Sequence, residues 1–363
     1  MSMAVQGIGT AVPTCSIAQE DAAHMALGLC CTSEEQGRLL QAVYRRSGVR
    51  QRASVVLENG NGAGVHQSFY PTPPLAVDRG PTTRARMDRY CDEARDLALR
   101  SAREAIEGSP LSPDGITHLI TVSCSGFHAP GIDVALIKGL GLAPTVRRTH
   151  VGFMGCHGAF NGLQVAQALA DSDPHARVLL CAVELCSLHL FCGWDLEKIV
   201  ANALFADGAA AVVGVPRDLA SPDSWRLAAT GSCLIPDSED AMTWRIGDFG
   251  FEMTLSNRVP ALIRENLRPW LERWLEECGL RLDDVRSWAV HPGGPRILSA
   301  VEEALGLPSE ALAASREALA EHGNMSSPTV LFILRRLRER GAPRPCVALG
   351  FGPGLAAEAA LFV

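Results

Sequence analysis

The sequence lacks any long apolar run. Its most apolar stretch, VLLCAVELCSLHLF, is broken by Glu184 well short of the roughly 20 residues that a membrane-spanning helix needs. It also lacks an excess of positive charge: 33 Lys plus Arg stand against 40 Asp plus Glu, a net charge of -7. No general attraction to nucleic acid or an anionic membrane follows, so any anionic ligand must be met by local positive charge. The opening MSMAVQGIGTAVP has neither a basic segment nor a cleavable apolar core, and the chain is read as soluble and cytoplasmic. A secreted disulfide framework is missing too. The 12 cysteines include the adjacent pair Cys30 and Cys31, and Cys124, Cys156, Cys181, Cys186 and Cys192 lie in apolar segments, as small core residues do. The nearest approach to a metal pattern, Cys181-x4-Cys186-x5-Cys192 with His189 inside, matches no zinc spacing, so no metal is expected.

What is present fits a globular α/β protein: 47% hydrophobic residues and 34 glycines in 363 residues. The chain also says the same thing twice. A helix in ARDLALRSAREAIEG leads to the strand GITHLITVSCSG, and a helix in VPALIRENLRPWLERWLEECG leads to DVRSWAVHPGG. Each strand is followed by a short amphipathic helix, DVALIKGLGLAP or ILSAVEEALGLPS, and then by a second helix that starts after Gly155 or Gly323. Buried-looking strands follow, RVLLCAVEL and PCVALGFG, and each half closes in a predicted hairpin, LFADGAAAVVGV with Asp207-Gly208 at the turn and GFGPGLAAEAALFV. The alternation predicts two largely parallel sheets covered by helices and packed about a pseudo-twofold axis, with the helices after Gly155 and Gly323 as neighbours in the centre. The halves are expected at 1–220 and 221–363, divided at the Pro/Ser-rich GVPRDLASPDSW.

Equivalent helix starts from two halves would meet at one place, with Cys156 facing Asn324. A thiol at a helix N-terminus lies near the positive end of the helix dipole, which favours thiolate, and Gly155 and Gly158 leave room for a thioester. Taken alone, Cys156 is as well explained as a buried inert thiol. The second half adds His291, at the end of a predicted strand where open α/β sheets place functional groups, and Asn324 at the start of the matching central helix. An imidazolium beside a thiolate makes a nucleophile, while His N–H and the Asn amide can donate to a developing enolate or oxyanion. That set suits carbon–carbon bond formation better than peptide hydrolysis, where the Asn would instead orient the His.

The words VGFMGCHGAFNGL, LFADGAAAVV, HPGGPRIL, GNMSSPTVLFIL and GFGPGL together resemble the type III polyketide synthases, the chalcone-synthase-like branch of the thiolase-fold condensing enzymes. The match runs from about residue 84 to the C-terminus and more loosely to the N-terminus. The resemblance implies an α/β thiolase fold, two pseudo-repeated βα halves in an α-β-α-β-α sandwich. It implies Cys156 as the acyl-bearing nucleophile, with His291 and Asn324 as the pair that decarboxylates malonyl-CoA. It places Phe205 and Met253 as gatekeepers between a CoA tunnel and a cavity, and Cys124, Ala129, His189, Trp244 and Ser326 as cavity-shaping positions. His157, one step along the helix, points away from Cys156 and is read as structural. Among Arg38, Arg45, Arg46, Arg50 and Arg52, Arg46 aligns with a phosphate contact of CoA, whereas two other basic family positions are Leu39 and Ala42 here. GFGPGL is no dinucleotide loop, since only nine residues follow Gly354.

The implied activity is loading of an acyl-CoA starter on Cys156, repeated decarboxylative condensation with malonyl-CoA, and release of a pyrone or cyclised aromatic by a homodimer with no metal or redox cofactor. The alternatives are a single-round ketoacyl synthase III-like enzyme, a thiol hydrolase and a catalytically silent scaffold. Ala129 stands where chalcone-forming relatives have a larger Met. Space there predicts fatty acyl starters and alkylpyrones or alkylresorcinols, unless His189 and Trp244 fill the gap.

Overall fold

The computed structural model describes residues 2–59, 64–71, 79–221 and 223–363. In chain order the strands are β1 (Met3–Ala11), β2 (Ser16–Ala18), β3 (Gln51–Ala53), β4 (Leu57–Asn59), β5 (Val65–Gln67), β6 (His118–Ser123), β7 (Arg147–Gly152), β8 (Val178–Leu185), β9 (Asp207–Pro216), β10 (Arg226–Leu234), β11 (Met242–Gly247), β12 (Gly250–Leu255), β13 (Ser287–Val290), β14 (Cys346–Gly352) and β15 (Ala356–Phe362). The helices are α1 (Gln19–Cys30), α2 (Glu34–Arg45), α3 (Thr83–Glu107), α4 (Ile132–Leu140), α5 (Gly158–Ser172), α6 (Leu196–Leu204), α7 (Val259–Glu277), α8 (Pro295–Leu305), α9 (Ala313–His322) and α10 (Thr329–Glu339).

The duplication is visible in the details of the caps. Helix α4 ends at Gly141 (φ 71°) and α8 at Gly306 (φ 68°), both left-handed. In each, the next residue donates back five positions, Leu142 to Ile137 and Leu307 to Glu302, both at 3.0 Å. Only glycine adopts that conformation at no steric cost, which is why the same Gly-Leu pair closes both helices.

Strand order is β13-β14-β15-β10-β1-β9-β8-β6-β7. The alternation of side chains along each strand builds two cores on its two faces. From β6, β8 and β9, Leu119, Leu179, Cys181 and Val213 join an outer cluster with α1, α3 and α4, while Ile120, Val122, Leu180 and Val212 join a central one. From β14 and β15, Val347, Leu349 and Leu361 pack outward against α7 and α8, whereas Ala348 and Ala360 face the same centre. Helices α5 and α10 fill that centre, α5 touching strands of both halves. Five layers result, α-β-α-β-α. Helix α5 fits because its residues are small: a Cβ on Gly162 would lie 2.7 Å from Leu180 Cδ1.

Four expectations change. The two sheets are hydrogen-bonded into one of nine strands, because β1 pairs with β9 along most of its length and also with β10 at Met3 and Ala4. The sheet is mixed: β7, β6 and β8 are parallel, as are β13 and β14, and the other pairs are antiparallel. Asp207-Gly208 is no hairpin turn but the start of β9; the Asp207 carboxylate is fully buried and accepts from the Val55 and Ser187 amides, each at 2.8 Å. Asn324 does not begin a helix, since α10 starts only at Thr329.

Candidate active site

Cys156 lies in a single 3-10 turn, Gly155–His157, between the C-terminal end of β7 and α5. The approach is strained: Phe153 has φ 62°, and Gly155 has φ 75° with Pro353 so close that a Cβ would lie 2.5 Å from its Cδ. The GFGPG loop therefore serves as a backstop that fixes the thiol from the other half. His157 turns away, its Nδ1 bound to Asn161 Oδ1 at 2.9 Å, with Asn161 linked on to Glu358. This agrees with a structural role.

His291 follows β13 directly, where the amide donates to Leu349 O at 2.8 Å. Asn324 is held by its backbone against the Phe205 segment: its N–H donates to Leu204 O at 2.8 Å and its carbonyl accepts from Ala206 at 2.9 Å. Its side-chain Oδ1 accepts from the Ser326 amide at 2.8 Å, which orients the amide group and leaves Nδ2 turned elsewhere.

One chamber is lined by Cys156, His291, Asn324, Phe205, Met253 and Met242 among others. A second shares Cys156, Met242 and Met253 and adds Cys124, Trp244, Ser326 and Pro353. His291 and Asn324 are each 1% exposed, yet both ring nitrogens of His291 and Nδ2 of Asn324 have no partner among the described residues. Buried donors left unpaired are costly, so a pair of them lining one chamber is a feature that a bound acceptor would relieve. Burial pushes the Cys156 thiol up to about 11, against the pull of Ser326 and Asn324. Burial, helped by His157, pushes His291 down to about 3. Burial thus favours the neutral thiol and the neutral imidazole over the thiolate–imidazolium pair expected from the sequence.

The cavity-shaping positions divide. Cys124 Sγ lies 3.6 Å from Ser326 Oγ, and Trp244 Nε1 donates to Cys124 O at 2.8 Å. His189 backs this wall, donating from Nε2 to Ser125 O at 2.7 Å, accepting the Phe251 amide at 2.9 Å and stacking on the Phe251 ring at 4.3 Å. Burial drives its pKa down to about 3, so it is a neutral crossbeam. Ala129 is not brought to the thiol within the chain. It is exposed and lines an outer cleft with Tyr90, Phe127 and His150. Between that cleft and the chamber stand Phe127, Phe251, His189 and Trp244, each ring against the next. Arg46 caps α2, is exposed and has no carboxylate partner among the described residues.

Sequence reasoning missed Glu184, noted only as an interruption of an apolar run. Its carboxylate, fully buried at the end of β8, accepts from the amides of Cys124 and Ser125 at 3.0 Å and from the hydroxyls of Ser125 at 2.6 Å and Ser327 at 2.8 Å. It thus ties the first half to the turn that carries Asn324. A lone acid inside VLLCAVEL was the available signal. Met242 was missed because nothing in its local sequence marks a lining residue.

The five layers, with a thiol from one half and an imidazole and amide from the other around one chamber, have the architecture of the thiolase-fold condensing enzymes. The N-terminal domain of the chalcone and stilbene synthases matches residues 2–216 and their C-terminal domain residues 226–363. The chain belongs to this family and is a type III polyketide synthase. It is 31% identical over 365 residues to the alpha-pyrone synthesis polyketide synthase-like Pks18 of Mycobacterium tuberculosis, covering 99% of this chain and 90% of that one. It is 34% identical over 360 residues to 1,3,6,8-tetrahydroxynaphthalene synthase of Streptomyces peucetius subsp. caesius, covering 98% and 91%. The crystal structure of PKS-I from the brown alga Ectocarpus siliculosus superposes with a TM-score of 0.92 at 31% identity, covering 99% of this chain and 98% of that one.

Proposed function

We propose that Cys156 carries the growing acyl chain and that His291 and Asn324 serve both charge-developing steps. An acyl-CoA starter places its thioester carbonyl between the unpaired donors of His291 and Asn324. The thiol proton moves to His291 as Sγ attacks. Both charges form together next to the substrate, which avoids the cost of either alone at a buried site. The tetrahedral oxyanion accepts from the two donors; it collapses to acyl-Cys156, and the CoA thiolate leaves with the proton from His291.

Malonyl-CoA then binds in the same place. Loss of CO₂ leaves an enolate on the thioester oxygen, held by the same donors, and its α-carbon attacks the acyl-Cys156 carbonyl. The C–C bond forms as the C–S bond breaks, giving a β-ketoacyl-CoA that reloads for the next round. Intramolecular attack ends the sequence, releasing a pyrone or cyclised aromatic. No metal or redox cofactor enters these steps. Phe205 and Met253 bound the passage to the thiol, Arg46 meets a CoA phosphate at the surface, and the active species is a cytoplasmic homodimer. Among the described residues no helix is long and apolar enough to cross a membrane.

The observation that carries this reading is the set of unpaired, fully buried donors of His291 and Asn324 lining one chamber with Cys156. Incubation with malonyl-CoA and a panel of acyl-CoAs, read by mass, tests it. Products from two or more extensions support it. A single β-keto acid would assign a ketoacyl synthase, and free acid without malonyl-CoA consumption a hydrolase.

A further inference from the structure

A cavity adjoins the His291 chamber, and Phe205 and Met253 line both. Tyr44 is part of its wall, in the last turn of α2 and two residues before the exposed Arg46. Arg52, also in that wall, ties this tyrosine to the passage. Its guanidinium carbon lies over the Tyr44 ring, 5.5 Å from the centroid, and its Nη1 donates to the carbonyls of Asn202 at 2.5 Å and Phe205 at 2.8 Å. Tyr44 is thus joined to Arg46 by the end of one helix and to Phe205 by one side chain.

Other polar side chains of this wall are committed within the protein. The Asn202 side chain pairs with both backbone groups of Phe191, that of Gln67 with both of Tyr70, and the Ser187 hydroxyl with Asp207. Tyr44 is the exception: it is 1% exposed, and its hydroxyl has no partner among the described residues. Arg52 cannot take the hydroxyl hydrogen, because a guanidinium only donates. A buried hydroxyl left unpaired destabilises the fold, and phenylalanine would fill the same space without that loss. The donors of His291 and Asn324 in the adjoining chamber are in the same state. Such a group is accounted for by an acceptor that arrives with a ligand.

In a CoA thioester the pantetheine arm joins the phosphates to the reacting carbon, and its two amide carbonyls lose water when the arm enters a buried passage. With a phosphate at Arg46 and the thioester at Cys156, that arm spans the stretch in which Tyr44 stands. We propose that the Tyr44 hydroxyl donates a hydrogen bond to a pantetheine amide carbonyl, making Tyr44 a residue that selects CoA-borne thioesters over simple ones. The assignment rests on the CoA passage and on the role of Cys156 given above.

The test is Tyr44→Phe, which keeps the ring beside Arg52 and removes only the hydroxyl. Loading of Cys156 is followed by intact mass with acetyl-CoA and with S-phenyl thioacetate, an activated thioester that has no amide, and CoA binding is measured by calorimetry. The variant should bind CoA about three- to tenfold more weakly and raise KM for acetyl-CoA by a similar factor, the scale for one neutral hydrogen bond, with kcat within a factor of about two. Loading from S-phenyl thioacetate should stay within a factor of about two. The thermal midpoint should hold or rise, because no internal partner is lost. Unchanged CoA affinity, an equal loss with both thioesters, or a fall in the thermal midpoint overturns the role of Tyr44 while leaving the CoA passage intact. Unaltered protein that is acylated at Cys156 by S-phenyl thioacetate but by no acyl-CoA would overturn the passage itself, and the role of Tyr44 with it.

Discussion

The two helix starts that meet at the active site, one ahead of α5 and one ahead of α10, descend from the same position in a repeated unit and have become different objects. On the first side Cys156 sits in a tight turn that runs straight into α5, and Pro353 braces Gly155 from the other half. On the second side four residues separate Asn324 from α10, and the backbone there pairs with Phe205 as an isolated bridge. The first geometry presents one atom, Sγ, rigidly. The second presents an amide whose oxygen is occupied and whose nitrogen is free. The proposed nucleophile and the proposed donor thus come from the same topological place in the two halves, and loop length rather than fold makes the difference.

The largest effect should come from the thiol itself. Cys156→Ala should abolish acyl-enzyme and product, since no other group lies where the attack must start. An intact-mass adduct surviving in that variant would remove Cys156 from the mechanism. Cys156→Gln should still release CO₂ from malonyl-CoA, because that step uses only the donors of the second half.

Removing those donors comes next. Asn324→Ala should slow malonyl-CoA decarboxylation about a hundredfold or more, the scale for losing one oxyanion donor. His291→Ala should be worse, as it also removes the group that accepts the thiol proton. Acetyl-CoA release within a factor of about three of the unaltered enzyme would contradict the role given to Asn324.

The backbone difference can be probed by giving each start a methyl group. Gly155→Ala meets φ 75° and Pro353 Cδ at 2.5 Å, and Gly323→Ala meets φ 73° and Leu204 O at 3.0 Å. Each should cost about 1–3 kcal/mol in urea unfolding. Gly155→Ala should slow acyl loading more than decarboxylation, and Gly323→Ala the reverse. Equal losses in both assays for both variants would dissolve the distinction between the two sides.

The smallest effect is on pH dependence. His189 and His291 both have folded pKa values lowered from 6.5 to about 3 by burial. A lowered folded pKa means that the unfolded chain gains the proton first, so stability is fully present above about 6.5 and drains as pH falls toward 3. Each histidine should cost about 2 kcal/mol between pH 6.5 and 5. The buried carboxyls Glu184 and Asp207, raised by burial, work in the opposite sense at lower pH. Their contribution cancels in a comparison with His189→Gln, which keeps a donor for Ser125 O and an acceptor for the Phe251 amide. That variant should lose stability less steeply on acidification; parallel slopes would mean that His189 is not held neutral.

Much of this protein is determined by the sequence alone. The repeat, the paired Gly-Leu helix stops and the Cys, His and Asn at matching places are local or periodic signals, carried by backbone sterics and side-chain period, and they survive without knowledge of any distant contact. The tertiary structure decided the rest. That β1 is shared between the halves, that Glu184 clasps both of them, that His189 packs between Trp244 and Phe251, and that a cavity adjoins the chamber across Met253 all depend on groups far apart in the chain. Burial is set the same way: packing around a thiol and an imidazole read as a charged pair pushes the one pKa up and the other down, toward the neutral forms.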